Sequence, residues 1–444
     1  MQTDPTRSGL FTLAILSIIG GACAGLVCGL FRVALEAADQ FRLSLPALWS
    51  ADPLKGFLLM AGCAAIATAF SAFMVRRFSP EAAGSGIPHV ESVLAAQMPP
   101  APFSLVPIKF FGGLLAIGSG LALGREGPCV QMGATIAYYV GARRDWPDRQ
   151  ALLAAGAGAG LAAAFNAPFA GAAFVLEELL RRFETRNAIA ALGASMSAIV
   201  VARLFTGAAP DFAIPHLPYP SAGDNLLCLV LGLFAGVLGA IYNRTLLDAL
   251  DIADSLKRIP VELRAGLVGA AIGGLAWLAP GLVGGGDAMT QSLLHGAPPF
   301  VLLPLLFIIR LFLSCGSYAA GTPGGLFAPL LLLGAQMGFF FGALFYPDAS
   351  APNVHAILFA VVGMAALFSA VVRAPLTGMI LVTEMTGNSI ELLPMLAACF
   401  TAMALATLLG GAPIYDSLKE RALRLGPARE PEKSDARAAT AGSR

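Results

Sequence analysis

Long apolar stretches follow one another along almost the whole chain, separated by short segments rich in Gly, Pro or charged residues. They lie at 9–37, 52–76, 103–123, 128–142, 150–180, 187–206, 225–248, 262–283, 298–320, 325–346, 352–372, 374–387 and 390–410. A membrane-spanning helix needs about 20 apolar residues, and several of these stretches are shorter or broken by Gly and Pro. Such breaks are tolerated at membrane depth where the freed backbone is buried in protein or lines a cavity. The pattern predicts an all-α, polytopic integral membrane protein with tilted and broken helices, as in transporters.

Composition supports this class. Of the 444 residues, 57% are hydrophobic and 12% are charged, and the mean hydropathy is +0.76. Soluble domains carry about 25% charged residues. The formal net charge of +1 points to no partner beyond the lipid bilayer, and we expect no nucleic acid among the partners.

The cysteines and histidines indicate no cofactor chemistry. The seven cysteines lie in apolar stretches without a C-x-x-C pair, which is typical of buried free thiols rather than disulfides or metal ligands. The four histidines are scattered without the spacing of metal ligands. We therefore expect no metal and no cofactor.

Basic residues between the apolar stretches predict the orientation in the membrane. By the positive-inside tendency, the loops that carry them face the cytoplasm; they lie at 76–77, 143–144, 181–186 and 257–264. The first apolar stretch has no convincing cleavage site and is interpreted as a first helix. The segment 419–444 is rich in Ala, Arg, Glu, Pro and Ser, as in disordered tails. We expect both termini in the cytoplasm and the chain in the inner (plasma) membrane.

The chain contains an internal repeat. "FNAPFAGAAFVLEE" at 165–178 aligns with "VRAPLTGMILVTEM" at 372–385. "GLALGREGPCVQMGA" at 120–134 aligns with "GTPGGLFAPLLLLGA" at 321–335. Paired broken segments at matching places in two halves of a transporter indicate a binding site near the membrane midplane.

A third match extends the repeat. "GACAG" at 21–25 aligns with "GLFAG" at 232–236, in a small-xxx-small pattern suited to close helix packing. Because the three matches come in the same order, the sequence predicts two homologous halves, 1–215 and 216–418, followed by the tail.

The broken segments favour an anion as ligand. Two of them place glycines before Pro128 and Pro329, and "GSGIP" at 84–88 is a third such start. Pro is favoured at the first position of a helix, where free N–H groups and the positive end of the helix dipole attract anions. A cation site would need clustered carboxylates, which these segments lack.

These stretches carry a family resemblance. "GSGIP" (84–88), "GREGP" (124–128) and "GGLFAP" (324–329), in this order and spacing, resemble the signature stretches of the CLC chloride channel and transporter family. "FNAPFAG", "RAPLTG" and "GGAPIYDSL" resemble further family stretches, so the likeness covers about 15–418. It implies two inverted halves of tilted helices per subunit, a homodimer with one pathway in each subunit, and a prokaryotic type without cytoplasmic regulatory domains.

The resemblance implies which residues bind chloride. Ser85 and Tyr415 would offer hydroxyl groups to a central chloride ion, and the backbone N–H groups of Leu326 and Phe327 would complete its site. From position alone, Ser85 is equally well a helix cap and Tyr415 an interfacial aromatic residue. The ring of Phe327 is equally well a packing group.

The resemblance also identifies Glu126 as the gating glutamate. When ionised, its carboxylate occupies an anion position and blocks the path; when protonated, it is neutral and swings away. The plain alternative is an ion pair with Arg125, but adjacent residues on a helix do not face each other. We expect Arg125 to pair with Glu91 as a structural ion pair near the gate.

Glu178 matches the family's internal proton-relay glutamate. Its neighbour Glu177 is interpreted as a helix end on the cytoplasmic side, beside Arg181, and Glu384 as a structural partner in the same region. His89 departs from the acidic residue that often follows "GSGIP" in the family.

Because family channels usually lack a glutamate at the position of Glu178, we expect a secondary active chloride/proton antiporter. The main alternative is a passive voltage- or pH-gated chloride channel. An intramembrane enzyme is disfavoured because no nucleophile with a base, metal cluster or cofactor motif is present. A cation transporter is disfavoured because the broken segments lack a carboxylate cluster.

Overall fold

The computed structural model describes residues 5–49, 51–256, 258–295, 300–347 and 352–425. Within these ranges the chain is helical and forms no β-strand. The helices are α1 (Pro5–Leu48), α2 (Pro53–Phe78), α3 (Ile87–Leu94), α4 (Leu105–Gly118), α5 (Glu126–Val140), α6 (Trp146–Phe165), α7 (Pro168–Phe174), α8 (Thr185–Thr206), α9 (Ala222–Ser255), α10 (Val261–Leu278), α11 (Asp287–His295), α12 (Leu303–Tyr318), α13 (Phe327–Phe345), α14 (Val354–Val372), α15 (Pro375–Thr386), α16 (Leu392–Leu408) and α17 (Ile414–Leu425).

Eight described helical segments are long and apolar enough to cross a membrane. They are Gly9–Leu48, Pro53–Phe78, Thr185–Thr206, Ala222–Ser255, Val261–Leu278, Phe300–Tyr318, Phe327–Phe345 and Val354–Val372. The last two lie inside the protein, with 83% and 89% of their apolar windows buried, whereas the others are 33–44% buried and turn apolar faces outward. The chain is therefore a multi-pass membrane protein, and the predicted all-α membrane class is confirmed.

Other helices are too short to cross a membrane. α3, α5 and α7 contain 8, 15 and 7 residues, so the longest of them covers about 22 Å of an apolar layer about 30 Å thick. Each starts or nearly starts with a proline, as the sequence predicts. The predicted broken helices are thus present, and they bring helix starts into the interior.

Glycines bring the helices of the core into close contact. A methyl group at Gly160 of α6 would overlap with the carbonyl oxygen of Cys129 on α5. In the second half, a methyl group at Gly338 of α13 would overlap with the carbonyl oxygen of Phe359 on α14. Small residues let helix backbones approach closely within a membrane, and here both halves use them for equivalent helix pairs.

Two glutamates connect the halves reciprocally. The carboxylate of Glu177 accepts hydrogen bonds from the N–H groups of Leu376 (3.0 Å) and Thr377 (2.6 Å) at the start of α15. The carboxylate of Glu384 accepts from the N–H groups of Phe169 (3.1 Å) and Ala170 (2.8 Å) at the start of α7. Each satisfies amide groups that have no partner within their own helix. Glu384 is a structural partner as expected. Glu177 lies in the last turn of its helix, as expected, and also caps the start of α15.

Two other expectations need correction. Residues 419–425, predicted to begin a disordered tail, form the end of α17. Arg421 stabilises this end because it pairs with Asp254 at 2.5 Å and also with Asp251, both on α9. Positions 426–444 lie outside the described residues. Of the seven free cysteines, Cys23 and Cys63 are exposed on the apolar surface rather than buried. The boundary between the halves at 215 stays a prediction.

We expect Gly160→Ala to lower the free energy of unfolding by about 2 kcal/mol, because the added methyl group must push α5 and α6 apart. The thermal unfolding midpoint in detergent would report this change. Gly62→Ala is the matched control, since nothing lies within 4 Å of a methyl group there. Equal midpoints for the two variants would contradict the close packing.

Candidate anion-binding site and gate

Three loops that precede helix starts meet in the protein interior. Gly84 donates its N–H to the carbonyl of Thr322 (3.0 Å), and Gly324 donates to the carbonyl of Gly84 (3.1 Å). Gly124 and Gly325 exchange a pair of backbone hydrogen bonds of 2.9 and 2.7 Å. The starts of α3, α5 and α13 are therefore held around one region by backbone hydrogen bonds between their loops.

Glycines are required where these loops touch. Gly86 has φ of +84°, a left-handed conformation that favours glycine. A methyl group at Gly127 would lie 2.5 Å from the hydroxyl oxygen of Ser85, and one at Gly124 would overlap with the carboxylate of Glu126. The bare backbone leaves room for side-chain oxygens, and for an anion, close to the amide groups.

Glu126 is buried at this meeting point, with 1% of its surface exposed. Its carboxylate lies over Gly124, and a methyl group at Gly325 would be 3.0 Å from its Oε2 atom. Neither carboxylate oxygen makes a hydrogen bond of good geometry to the described part of the chain. A carboxylate therefore lies beside the starts of α5 and α13, where helix dipoles attract negative charge.

Ser85 and Tyr415 bring two hydroxyl groups to the same region. Both residues are completely buried, and neither hydroxyl oxygen has a hydrogen-bond partner among the described residues. The Ser85 N–H donates to the hydroxyl of Tyr318 at 3.3 Å, so its backbone is also fixed. A buried hydroxyl without a partner costs about 1–3 kcal/mol, and an anion that accepts from both would remove this cost.

Leu326 and Phe327 form the start of α13 and are completely buried. Their N–H groups belong to the first turn, which has no acceptors within the helix. The Phe327 ring packs against Phe368 with centroids 4.7 Å apart and lies 5.9 Å from the ring of Tyr415. The side chain is thus a packing group, and the proposed chloride contact falls to the backbone. All four chloride-binding assignments, including Ser85, stay predictions.

Arg125 does not bind Glu91, and the predicted ion pair is wrong. Its guanidinium pairs with Asp211 (3.2 Å) and Asp287 (3.1 Å). Glu91 lies on α3, facing α17, and its carboxylate is 3.8 Å from Lys419. The reason is directional: Arg125 precedes α5 and extends toward the connection after α8 and the start of α11, away from α3.

Lys109 is a basic residue near the site, and no sequence motif points to it. It is completely buried on α4, and its ammonium donates to the carbonyls of Ala82 (3.0 Å) and Gly84 (2.8 Å). The Lys109 side chain thus fixes the backbone of the residue before Ser85 at the start of α3. The only signal in the sequence is a single lysine inside the apolar stretch 103–123.

Glu178 lies on a widened turn, Val175–Leu179, that continues α7. It is 3% exposed, and its Oε1 atom is 3.9 Å from the guanidinium of Arg181. It lines a polar cavity of about 330 Å³ together with Glu91, Arg181 and Lys419. The cavity borders the basic segment 181–186, so a buried carboxyl group faces the side that the sequence predicts to be cytoplasmic.

The comparisons identify the family. Residues 64–407 match the model of the voltage-gated chloride channel family. The chain belongs to the CLC family. The resemblance found in the sequence is thereby confirmed.

Curated relatives of this CLC protein cover nearly all of it. The H⁺/Cl⁻ exchange transporter ClcA of Vibrio cholerae is 37% identical over 429 residues, which is 93% of this chain and 90% of the relative. The ClcA exchange transporter of Cronobacter sakazakii is 37% identical over 438 residues, 96% of this chain and 93% of the relative.

Solved structures agree with the CLC fold. A slow cyanobacterial Cl⁻/H⁺ antiporter superposes with a TM-score of 0.87 and 32% identity, over 93% of this chain and 98% of that one. A CLC-type fluoride/proton antiporter, at 23% identity and a TM-score of 0.77 over 93% and 98%, shares the fold. The expected CLC-type architecture is confirmed.

We expect Asp211→Asn to lower the free energy of unfolding of this CLC protein by about 3 kcal/mol, because it removes the buried carboxylate that two largely buried guanidinium groups share. Asp211 is 5% exposed and binds Arg32 (2.9 Å) as well as Arg125. Asp287→Asn is the matched control, with a carboxylate 45% exposed, and its cost should be below about 1 kcal/mol. Thermal unfolding in detergent measures both, and a larger loss for Asp287→Asn would contradict the prediction.

Proposed function

We propose that this protein is a secondary active chloride/proton antiporter. The observation that carries the proposal is the pairing of two buried carboxyl groups: Glu126 among helix starts and unpartnered hydroxyls, and Glu178 at a polar cavity. Relatives named as H⁺/Cl⁻ exchange transporters support it. Chloride and protons are the substrates, and the proposal involves no cofactor.

Glu126 serves as gate and proton carrier in this proposal. Its carboxylate lies where the dipoles of α5 and α13 attract an anion, so the ionised side chain competes with chloride. When Glu126 takes up a proton, it loses the charge that holds it there and leaves room for chloride. The hydroxyls of Ser85 and Tyr415 and the amides of Leu326 and Phe327 then bind the ion.

Glu178 exchanges protons with the cytoplasm through the polar cavity. It lies on a different element from the chloride-binding residues, and we propose that protons reach Glu126 by a route that differs from the chloride path on this side. A passive chloride channel would not require this second carboxyl group, which is why we favour the antiporter.

The membrane context completes the proposal. We place the protein in the inner membrane with both termini in the cytoplasm, following the positive-inside tendency. We also propose a homodimer, as the family resemblance implies. Apolar residues on the outer faces of α8 and α16, such as Leu204 (77% exposed) and Phe400 (63% exposed), give lipid or a second subunit a surface to pack on.

The first test uses liposomes that contain high chloride, with equal pH on both sides and the membrane potential held near zero by K⁺ and valinomycin. An outward chloride gradient should drive protons uphill into the vesicles. Glu178→Ala should lose most proton movement and keep chloride efflux, because only the proton route is cut. Internal pH and external chloride are recorded together.

Protein-free liposomes and a protonophore are the controls for this experiment. Chloride efflux without proton movement in the wild type would make the protein a channel. Unchanged proton movement in Glu178→Ala would remove the relay from the proposal.

The second test is Glu126→Gln, which replaces the carboxylate with a neutral amide of the same size. We expect chloride efflux to lose its pH dependence and proton coupling to vanish, because the side chain no longer titrates. Glu36→Gln on the surface, with a carboxylate 48% exposed, should behave as the wild type. Coupled proton transport by Glu126→Gln would rule out this residue as the carrier.

A further inference from the structure

The C-terminal helix α17 joins the candidate chloride site to the candidate proton site. It begins at Ile414 and carries Tyr415, which is completely buried near the start of α13. The next residue, Asp416, binds Arg181, which lines the polar cavity. Both carboxylate oxygens of Asp416 accept hydrogen bonds from the Nη2 atom of Arg181 at 3.0 Å. One turn later, Lys419 donates to Asp416 at 3.1 Å.

Arg181 is shared between two carboxyl groups. The same Nη2 atom that binds Asp416 at 3.0 Å is 3.9 Å from the Oε1 atom of Glu178. Its Nε atom also donates to the backbone carbonyl of Glu178 at 3.3 Å. The guanidinium therefore lies next to Glu178 but is hydrogen-bonded to Asp416 instead.

Other charged groups surround Glu178, and Arg182, Glu184 and Arg186 line the same cavity. Glu91 extends from α3, Glu177 precedes Glu178 on the same turn, and Lys419 lies on α17. Lys419 is 3.8 Å from Glu91 and 3.1 Å from Asp416, so α17 provides one acid and one base to this cluster.

Asp416 is ionised in this arrangement. Burial acts to raise the pKa of Asp416, but hydrogen bonds from Lys419 and Arg181 outweigh it, and the pKa lies below its usual value. A fixed negative charge thus holds the guanidinium that would otherwise be free to bind Glu178.

We propose that Asp416 is a positioning residue for proton exchange at Glu178, which it controls by holding Arg181 back from the Glu178 carboxyl group. This inference rests on the proposed antiport function. A carboxyl group locked to a guanidinium keeps its ionised form and takes up protons poorly. By binding Arg181, Asp416 leaves Glu178 able to take up and release protons.

The plain alternative is that Asp416 only anchors α17. The helix offers a matched control for that role, because Arg421 also anchors it, to Asp254 at 2.5 Å on α9. Asp254→Asn weakens this anchor without touching the residues around Glu178. A purely structural effect should appear in both variants.

The experiment measures proton and chloride fluxes of the reconstituted full-length protein from pH 4.5 to 8, with equal pH on both sides. The readout is the pH at which the proton-to-chloride ratio falls by half. For Asp416→Asn we expect a shift of about one pH unit toward acid, because Arg181 closes on Glu178. For Arg181→Gln we expect a shift toward alkaline pH, because Glu178 then faces Glu91 and Asp416 without the cation.

Two further variants complete the set. Asp254→Asn should keep the wild-type profile, and Asp416→Glu should restore most of it. The inference is overturned if Asp416→Asn leaves the midpoint in place, if it lowers both fluxes at a constant ratio, or if the Asp416 and Arg181 variants shift in the same direction. If Asp416→Asn does not fold, Asp416→Ser takes its place, with the same acid shift expected and the same outcomes overturning the inference.

The wild-type measurement distinguishes a failure of this inference from a failure of the proposed antiport function. Chloride flux without proton movement in the wild type overturns the proposed antiport, and this inference falls with it. Coupled wild-type transport with an unmoved midpoint in Asp416→Asn and Arg181→Gln overturns the inference alone.

Discussion

Unpaired amide groups at helix starts, buried at membrane depth, are the constraint on which the rest of this structure depends. In a membrane each such group must find a partner inside the protein. Here the starts of α3, α5 and α13 are joined by hydrogen bonds between Gly84, Thr322, Gly124 and Gly325, and their remaining N–H groups face one region. The glycines let the loops approach one another closely, and the short helices place their starts at this depth. The positive ends of the helix dipoles favour a carboxylate such as that of Glu126 here.

Much of this arrangement could be predicted from the sequence because its signals are local. Proline after glycine marks a helix start, and an apolar stretch of known length marks a span or its interruption. The order of "GSGIP", "GREGP" and "GGLFAP" predicts that Ser85 and Glu126 lie at helix starts. The aligned halves likewise indicated that Glu177 and Glu384 are equivalent, and the structure gives them reciprocal partners.

The partners of charged side chains could not be predicted, because they depend on where distant segments meet. Arg125 pairs with Asp211 and Asp287, which lie in or next to connecting segments with no periodic pattern, more than 80 residues away. Glu91 is closer in sequence but faces another helix. The predicted start of the disordered tail is wrong for a related reason. Its composition resembles disorder, but Arg421 forms ion pairs with α9, and residues up to 425 are helical.

The reciprocal caps of α7 and α15 have a consequence for how the chain assembles. The amides of Phe169 and Ala170 find their carboxylate 215 and 214 residues further along the chain, at Glu384. During synthesis the first half must therefore enter the membrane with one helix start still unsatisfied, and it keeps that cost until the second half arrives. Neither half satisfies all of its helix starts by itself, so we expect the two halves to complete these hydrogen bonds late, after both have entered the membrane.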